Sequence, residues 1–234
     1  PLAATMNGAA FLGVDVDPTR IERRVATGYC DRLTHSLDEA LDWTLAAQRD
    51  RRALSVGLVA NIADVLPELV RRGVAVDVVT DQTSAHDLRM GYIPAGYDLA
   101  GAAELRTKDP TGYDNKVLDS MQRHVQALLD LKRAGTIAFD YGNNLRGQVA
   151  DHRAMKNAFQ IPGFVPEFIR PLFCRGAGPF RWAALSGDPA DIHATDDAVL
   201  ETFPDKEPLA RWIRAAREKV HFQGLPARIC WLEY

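Results

Sequence analysis

Residues 54–80, LSVGLVANIADVLPELVRRGVAVDVVT, contain two apolar runs that are separated by a helical pattern. The runs 54–60 and 74–80 are short and rich in β-branched residues, as buried strands are. Between them, residues 62–72 carry apolar side chains at helical spacing, and Gly73 follows at a position typical of a helix C-terminus. A strand, a helix and a second strand in this order predict a crossover connection and hence parallel strands.

The same alternation continues on both sides of this stretch. Two further apolar runs, 10–16 and 136–140, predict buried strands, and the other helical patterns are 18–27, 36–51 and 114–134. Ser36 stands three residues before Glu39, which predicts a capping box, and Gly135 predicts another helix C-terminus. The chain is therefore expected to be α/β, with a mainly parallel sheet covered by helices on both faces.

The composition and periodicity of the sequence change from about Ala158. Residues 159–187 are rich in proline, glycine and aromatic residues and have neither a helical nor an alternating period. This composition predicts a well-packed irregular segment of a different domain, close to a site. An amphipathic helix over 207–220 is expected to follow. We therefore divide the chain into domains 1–157 and 158–234.

The overall composition narrows the function classes. Of the 234 residues 47% are hydrophobic and 25% charged, the formal net charge is −3, and no basic run exceeds two residues, so nucleic acid is not an expected partner. Three widely spaced cysteines, Cys30, Cys174 and Cys230, predict neither a disulfide framework nor a metal site. No apolar stretch is long enough to span a membrane, and no secretory signal pattern is present, so a cytoplasmic protein is expected.

The most informative polar stretch is DQTSAHD, residues 81–87, directly after a predicted parallel strand. Open α/β sheets bind ligands at the carboxyl ends of their strands. Four side chains of this loop offer donors and acceptors suited to phosphate and ribose oxygens: Gln82, Thr83, Ser84 and His86. The alternative is a polar helix N-terminus with a capping residue. Asn61 and Tyr141 follow two other predicted strands, so these residues are expected to line one crevice.

Asp15 lies near the end of the run 10–16. In a dinucleotide-binding unit, an acid at the end of the second strand accepts the ribose hydroxyls, roughly 20 residues after a Gly-rich loop. That loop would have to precede Pro1, and the sequence contains none. A strand-end acid that only stabilises a turn is the alternative.

Five motifs carry a resemblance to a known family. They are DQTSAHD (81–87), GYIPAG (91–96), FDYGNN (139–144), PGFVPEFIRPLFCRGAGPFRWAALSG (162–187) and FQGLPARICW (222–231). Together, in this order, they resemble urocanase, or urocanate hydratase, over nearly the whole chain. Family members are longer at both ends, so the resemblance implies a central segment. It also implies a Rossmann-like NAD-binding domain over 1–157, without its first strand and Gly-rich loop, and part of a catalytic core domain over 158–234.

The resemblance implies a specific chemistry and a specific site. Urocanases of histidine degradation hold NAD tightly and use it as an electrophile. The imidazole ring of urocanate adds to the nicotinamide, water attacks, and imidazolone propionate is formed. The NAD-contacting positions would be Asp15, Arg20, Asn61, Ile62, Gln82, Thr83, Ser84, Ala85, His86, Tyr92, Ile93 and Tyr141. Asp15 departs from the family pattern, which has Glu there, so its shorter side chain leaves the ribose contact open.

Cys230 matches the active-site cysteine of the family. Without the resemblance, a cysteine between Ile229 and Trp231 is as compatible with inert packing. Arg228, two residues earlier, would lie on the same side of an extended strand and favour the thiolate. Cys174 is the second candidate, and Cys30 is expected in the core.

Two arginines are candidate partners for the carboxylate of urocanate. A guanidinium binds a carboxylate bidentately, which suits Arg175 and Arg181, although structural ion pairs are an equal alternative for both. The other histidines are expected on the surface or in packing; they are His35, His124, His152, His193 and His221.

Two other function classes stay open. They are an NAD-dependent dehydrogenase, which would release NADH, and a non-catalytic nucleotide-binding fragment. The resemblance further implies a homodimer. The 234 residues by themselves are expected to bind NAD weakly and not to hydrate urocanate, because the phosphate-binding loop is missing from them.

Overall fold

The computed structural model describes residues 1–233 as an α/β protein. Its strands are β1 (Ala10–Asp15), β2 (Arg32–Thr34), β3 (Leu54–Val59), β4 (Val78–Asp81), β5 (Ile137–Asp140), β6 (Ala177–Ala183) and β7 (Ala227–Glu233). Its α-helices are α1 (Leu2–Met6), α2 (Pro18–Ala26), α3 (Leu37–Arg49), α4 (Ile62–Arg71), α5 (Leu88–Gly91), α6 (Leu99–Lys108), α7 (Pro110–Arg133), α8 (Leu145–Arg153), α9 (Arg170–Phe173), α10 (Pro189–Thr202) and α11 (Glu207–Lys219). A 3₁₀-helix spans Lys156–Gln160, and a π-helical turn spans Val165–Ile169.

The parallel strands form two groups. In the first, β3 lies between β1 and β2, with Asp15 opposite Val59. In the second, β4 pairs with β5, and Asp81 lies opposite Asp140. The expected parallel pairing is confirmed, but no strand joins the two groups into one sheet within the described residues.

One apolar core underlies both groups. Strand β3 is buried from Leu54 to Leu58, and α7 contributes Val117, Met121 and Val125, none of which is exposed to solvent. The helix α2 approaches β3 closely, because a Cβ atom at Gly57 would collide with Ile21. A glycine in the middle of this strand therefore allows the helix to pack against it.

The second face of the β4–β5 pair is not covered as expected. Val78 is 54% exposed and Ile137 is 55% exposed, although α7 packs on the other face. Ala158 and Ile161, which lie beyond residue 157, are buried in the same core as the parallel strands.

The predicted elements with a clear period are confirmed, with small changes at their ends. The helix predicted from residue 114 begins at Pro110, because Asp109 caps it through the Gly112 N–H (2.9 Å). Ser36 caps α3 through the Glu39 N–H (3.3 Å), but the Glu39 carboxylate binds the Thr34 hydroxyl, so the capping box is not reciprocal.

Other predictions were wrong in part. Only the second half of 74–80 is a strand, since residues 78–81 alone have a partner strand. Residues 159–187 contain short helices and β6 rather than only irregular structure. Strand β2 and helix α10 were not predicted. In α10 only Ile192 and Asp196 are buried, so it has no apolar face that a period could reveal.

The chain after residue 176 forms a small separate unit. Strands β6 and β7 pair antiparallel, and α10 and α11 are joined to this ribbon by hydrogen bonds from Trp182 to Thr195 (2.8 Å) and from Trp212 to the Ile229 carbonyl (3.1 Å). Ile192, Ile213 and Cys230 are buried there. Throughout residues 1–233, no helix has both the length and the apolar character needed to cross a membrane.

Candidate functional site

The five parallel strands of the described chain end in the same local structure. After each one, a side-chain oxygen accepts a hydrogen bond from the backbone N–H two residues further on. The acceptors are Asp15 (from Asp17, 3.0 Å), Thr34 (from Ser36, 3.0 Å), Asn61 (from Ala63, 2.9 Å), Asp81 (from Thr83, 3.2 Å) and Asp140 (from Gly142, 2.6 Å). These turns fix the chain at the carboxyl ends of the strands, where open α/β sheets bind ligands.

The loop after β4 presents its polar side chains outward. Gln82, Ser84 and His86 are exposed, whereas Ala85 between them is fully buried. Among the described residues, no hydrogen bond engages the side chains of Gln82, Ser84 or His86. The residue that caps the following helix is Asp87, which accepts from the Arg89 and Met90 N–H groups (2.8 and 3.1 Å). The helix N-cap of the alternative interpretation is therefore present at Asp87, and residues 82–86 precede the helix that it caps.

Contacts join this loop to the end of β3. The backbone of Gly91 lies so close to Ser84 that a Cβ atom on Gly91 would collide with the Ser84 carbonyl. Asn61 donates to the Ile93 carbonyl (2.9 Å), and the N–H of Ala60 donates to the Asp15 carbonyl (3.1 Å). Asp15, Asn61 and residues 82–93 consequently form one continuous edge. The crevice predicted from the sequence comprised Asn61, the 81–87 loop and Tyr141, without Asp15.

Asp15 and Arg20 lie at the outer part of this edge. One carboxylate oxygen of Asp15 accepts from the Asp17 N–H, and the other lies 3.8 Å from the Arg20 guanidinium. The Arg20 side chain is 64% exposed. Asp15 thus stabilises a turn and still keeps one carboxylate oxygen without a hydrogen bond in the described structure.

A buried polar network lies directly beneath the loop. Asp81 accepts from the Thr83 hydroxyl (2.7 Å) and from the Asn143 amide, which also donates to the Thr83 carbonyl (2.8 Å). His124 Nε2 lies 3.8 Å from Asp81, and its Nδ1 lies 3.2 Å from the Tyr92 hydroxyl. Tyr92 was predicted from the sequence to contact the cofactor, whereas Asp81 and Asn143 were not predicted as site residues. The signal was present, since both belong to strand-end motifs.

Burial governs the ionisation of this network. Desolvation lowers the pKa of His124, and the carboxylate of Asp81 opposes this shift. Desolvation and then the charge of Asp81 raise the pKa of Tyr92 well above its usual value. His124 and Tyr92 are therefore neutral at pH 7.

Tyr141 extends the edge beyond β5. Its ring is 50% exposed and stacks on Phe164, with ring centroids 5.2 Å apart. The preceding Asp140 is buried beside Arg146, whose Nε lies 2.9 Å from Asp140 and whose Nη1 donates to the Ile161 carbonyl (2.7 Å). An exposed aromatic ring on a fixed base can stack against a planar ligand.

Cys230 lies in β7, in the other part of the molecule. Its thiol is 1% exposed and is on the same side of the strand as Arg228. Arg228 binds the fully buried Asp196 through two hydrogen bonds (2.9 and 2.7 Å). Burial, followed by the charge of Asp196, raises the pKa of Cys230 to about 11, although Arg228 acts in the opposite direction. The predicted influence of Arg228 in favour of the thiolate is therefore present, but burial and the charge of Asp196 outweigh it.

Arg175 and Arg181 are both exposed, the first just after α9 and the second in β6. Arg181 lies opposite Ile229, so its side chain is on the face of the ribbon that Cys230 does not share. Within residues 1–233 neither guanidinium has an ion-pair partner, and no hydrogen bond links these arginines or Cys230 to the edge described above.

The chain leading into β7 does touch the first part of the molecule. Tyr29 donates to the His221 carbonyl (3.1 Å), and Arg23 donates to the Gln223 side chain (3.4 Å). These contacts lie at α2, the helix that follows Asp15.

Two surface grooves lie elsewhere. One of about 600 Å³ is lined by residues 73–77 and 134–137, at the amino ends of β4 and β5. Another of about 350 Å³ lies between α4 and α7. Neither groove is lined by a predicted cofactor residue, and the polar strand ends lie at the opposite edge of the strands. The candidate site is therefore identified by its polar side chains and not by the size of a groove. No cluster of three metal-ligating side chains occurs among the residues described.

Comparison with protein families decides the assignment. The family model described as "Urocanase Rossmann-like domain" matches residues 1–168, and "Urocanase C-terminal domain" matches residues 171–234. The chain belongs to the urocanase family. The Rossmann-like match contains all five strand-end turns, and the C-terminal match contains Cys230, Arg175 and Arg181. The two sets of candidate residues therefore lie in different urocanase domains.

Proposed function

We propose that this protein is a urocanate hydratase, which adds water to urocanate to give imidazolone propionate and holds NAD at the carboxyl edge of its parallel strands. One observation carries the proposal. A chain that matches both urocanase domains presents three polar side chains without partners in its described residues, Gln82, Ser84 and His86, at the edge where Rossmann-like sheets bind ligands.

The residues at this edge fit NAD. Hydroxyl, amide and imidazole groups in the 82–86 loop suit phosphate and ribose oxygens, and Asp15 has a carboxylate oxygen for a ribose hydroxyl. Tyr141 offers an exposed ring for stacking. Bound NAD would supply an electrophilic nicotinamide ring. The protein's own part is to hold and orient the cofactor and substrate and to keep bulk water out.

The residues proposed to act on urocanate, rather than to bind NAD, are Cys230, Arg175 and Arg181. We propose that Cys230 contributes as a neutral thiol, since its pKa of about 11 keeps it protonated at pH 7. The exposed guanidinium groups of Arg175 and Arg181 suit the urocanate carboxylate. Family membership also supports a cytoplasmic homodimer, which sedimentation analysis would test.

The cofactor part is tested by retention of NAD. In the product of the complete coding region, Ser84→Ala and His86→Ala should each weaken NAD binding at least about tenfold, because a hydrogen bond to a charged group contributes about 1.5–3 kcal/mol. The exposed His152, on α8, supplies the control variant His152→Ala, which should retain NAD normally. Unchanged retention in both loop variants would contradict the proposed cofactor site.

The substrate part is tested by Cys230→Ala in the same protein. This variant should fold, retain NAD and lose most urocanate turnover, measured by the loss of urocanate absorbance. Cys30→Ala, at a thiol that is 4% exposed, is the matched control and should remain active. Near wild-type turnover in Cys230→Ala would transfer the role to Cys174.

The urocanate turnover assay also distinguishes a urocanase from an NAD-dependent dehydrogenase, the alternative function. A urocanase should show no net reduction of NAD during turnover, whereas a dehydrogenase would release NADH.

The 234 residues alone should bind NAD weakly, because no Gly-rich loop supplies backbone N–H groups to the pyrophosphate. Calorimetric titration of this chain with NAD would test that proposal.

A further inference from the structure

His124 occupies an unusual position for a histidine in a helix. It lies on α7, is 1% exposed, and faces two polar partners from different parts of the chain. Tyr92, on the segment after α5, has its hydroxyl 3.2 Å from His124 Nδ1. Asp81, at the end of β4, lies 3.8 Å from Nε2, a distance typical of an electrostatic contact rather than a hydrogen bond.

The chemistry of the partners defines the state of the ring. Asp81 can only accept, so the N–H of neutral His124 points towards it from Nε2, and Nδ1 accepts the hydroxyl hydrogen of Tyr92. Tyr92 is fixed in turn, because Tyr113 donates to its carbonyl (2.8 Å). His124 therefore connects α7 to the two segments on either side of the 82–86 loop.

Asp81 is the residue that joins His124 to the loop. Its carboxylate accepts from both the N–H and the hydroxyl of Thr83 (3.2 and 2.7 Å), and it also accepts from Asn143. A buried carboxylate is costly unless donors surround it. Any loss of a donor near Asp81 should loosen the turn that determines the direction of the loop.

We propose that His124 is a positioning residue for the cofactor loop: through Asp81 and Tyr92 it holds residues 82–86 in the conformation that presents Ser84 and His86 outward. This inference deepens the proposed NAD site and rests on it for its functional consequence. The positioning itself is a property of the protein without ligand.

The test is amide hydrogen exchange of residues 83–87 in the NAD-free product of the complete coding region. His124→Phe keeps a planar ring but removes both nitrogens, and His124→Gln keeps one donor and one acceptor. The Phe variant should exchange about tenfold faster in this loop, and the Gln variant should return to within about threefold of wild type. NAD retention should follow the same order.

Leu128→Ala is the matched control, because it weakens the buried face of the same helix without touching the network. In Leu128→Ala, the amides of residues 83–87 should exchange faster only to the extent that the measured loss in the free energy of global unfolding explains. The positioning role would be overturned if the amides of residues 83–87 exchanged equally fast in His124→Phe and His124→Gln. It would also be overturned if their exchange in His124→Phe were accelerated no more than in the control. Absence of NAD from the wild type would instead refute the proposed function, and the exchange data would still decide the role of His124.

Discussion

At the scale of single residues, Cys230 illustrates how neighbours decide reactivity. Arg228 lies on the same side of β7, as the alternation of a strand requires, and on its own would stabilise a thiolate. Burial is the largest penalty for a charge on the thiol, and Asp196, which accepts two hydrogen bonds from Arg228, adds a second penalty that exceeds the influence of Arg228. The net result is a pKa of about 11 instead of one near 8.5.

This pKa predicts a selective pattern of alkylation. At pH 8 a thiol with a pKa about three units higher is roughly 0.1% thiolate, the form that iodoacetamide attacks. Exposed Cys174 should therefore react first, and Cys30 and Cys230 only after unfolding. Peptide mapping by mass spectrometry before and after denaturation measures this, and Cys230 labelled as fast as Cys174 in the native protein would refute it.

The same shift predicts a loss of stability at alkaline pH. Because the folded-state pKa of Cys230 lies above its unfolded value, the unfolded state loses this proton first as pH rises. The stability from the protonated thiol is complete below about pH 8.5 and declines as the pH approaches 11. In Cys230→Ala the decline in the free energy of unfolding over this range, measured with urea, should be smaller. An identical slope in variant and wild type would contradict the shift.

At the scale of elements, the Asp196–Arg228 pair connects α10 to β7. Both side chains are buried, Asp196 completely, and Arg217 Nε also lies 3.4 Å from Asp196. Removing one partner of such a pair leaves an uncompensated buried charge, which costs about 3–5 kcal/mol. This pair, together with the hydrogen bond from Trp182 to Thr195, therefore attaches α10 to the ribbon that carries Cys230.

Asp196→Ala should accordingly destabilise the protein by about 3–5 kcal/mol in urea unfolding. The adjacent Asp197 provides the control: it is exposed and, among the residues that the structure describes, pairs with Arg217 alone (2.6 Å), so Asp197→Ala should cost less than about 1 kcal/mol. Similar losses in the two variants would mean that burial of the pair contributes little.

Elements with a local apolar pattern were predicted from the sequence, whereas features that depend on buried charged or polar contacts between distant residues were not. Helices α3, α4 and α11 have helical apolar periods, and strands β1 and β3 lie in short apolar runs, so local patterns identified all five elements. Helix α10 was missed because its buried anchor is a charged residue. The Asp81–Asn143 contact joins residues 62 positions apart, and local patterns carry no information about such pairings. The loop 81–87 was found because strand-end polar residues are a local signal.

At the scale of the whole molecule, two urocanase domains contribute different parts of the proposed site. The five strand-end turns form one edge in the first domain, and Cys230 lies in the second. Contacts of α2 with residues 221–223 connect the two parts. The central claim is that NAD binds at the carboxyl edge and not in the larger groove at the amino ends of β4 and β5.

Hydrogen exchange with and without NAD tests that claim most directly. It is measured by mass spectrometry on the product of the complete coding region, after removal and readdition of the cofactor. NAD should slow the exchange of peptides covering residues 15–20, 61–62 and 82–87 and should leave the exchange of residues 73–77 and 134–137 unchanged. Protection of the groove residues, with residues 82–87 exchanging as fast as without NAD, would contradict it.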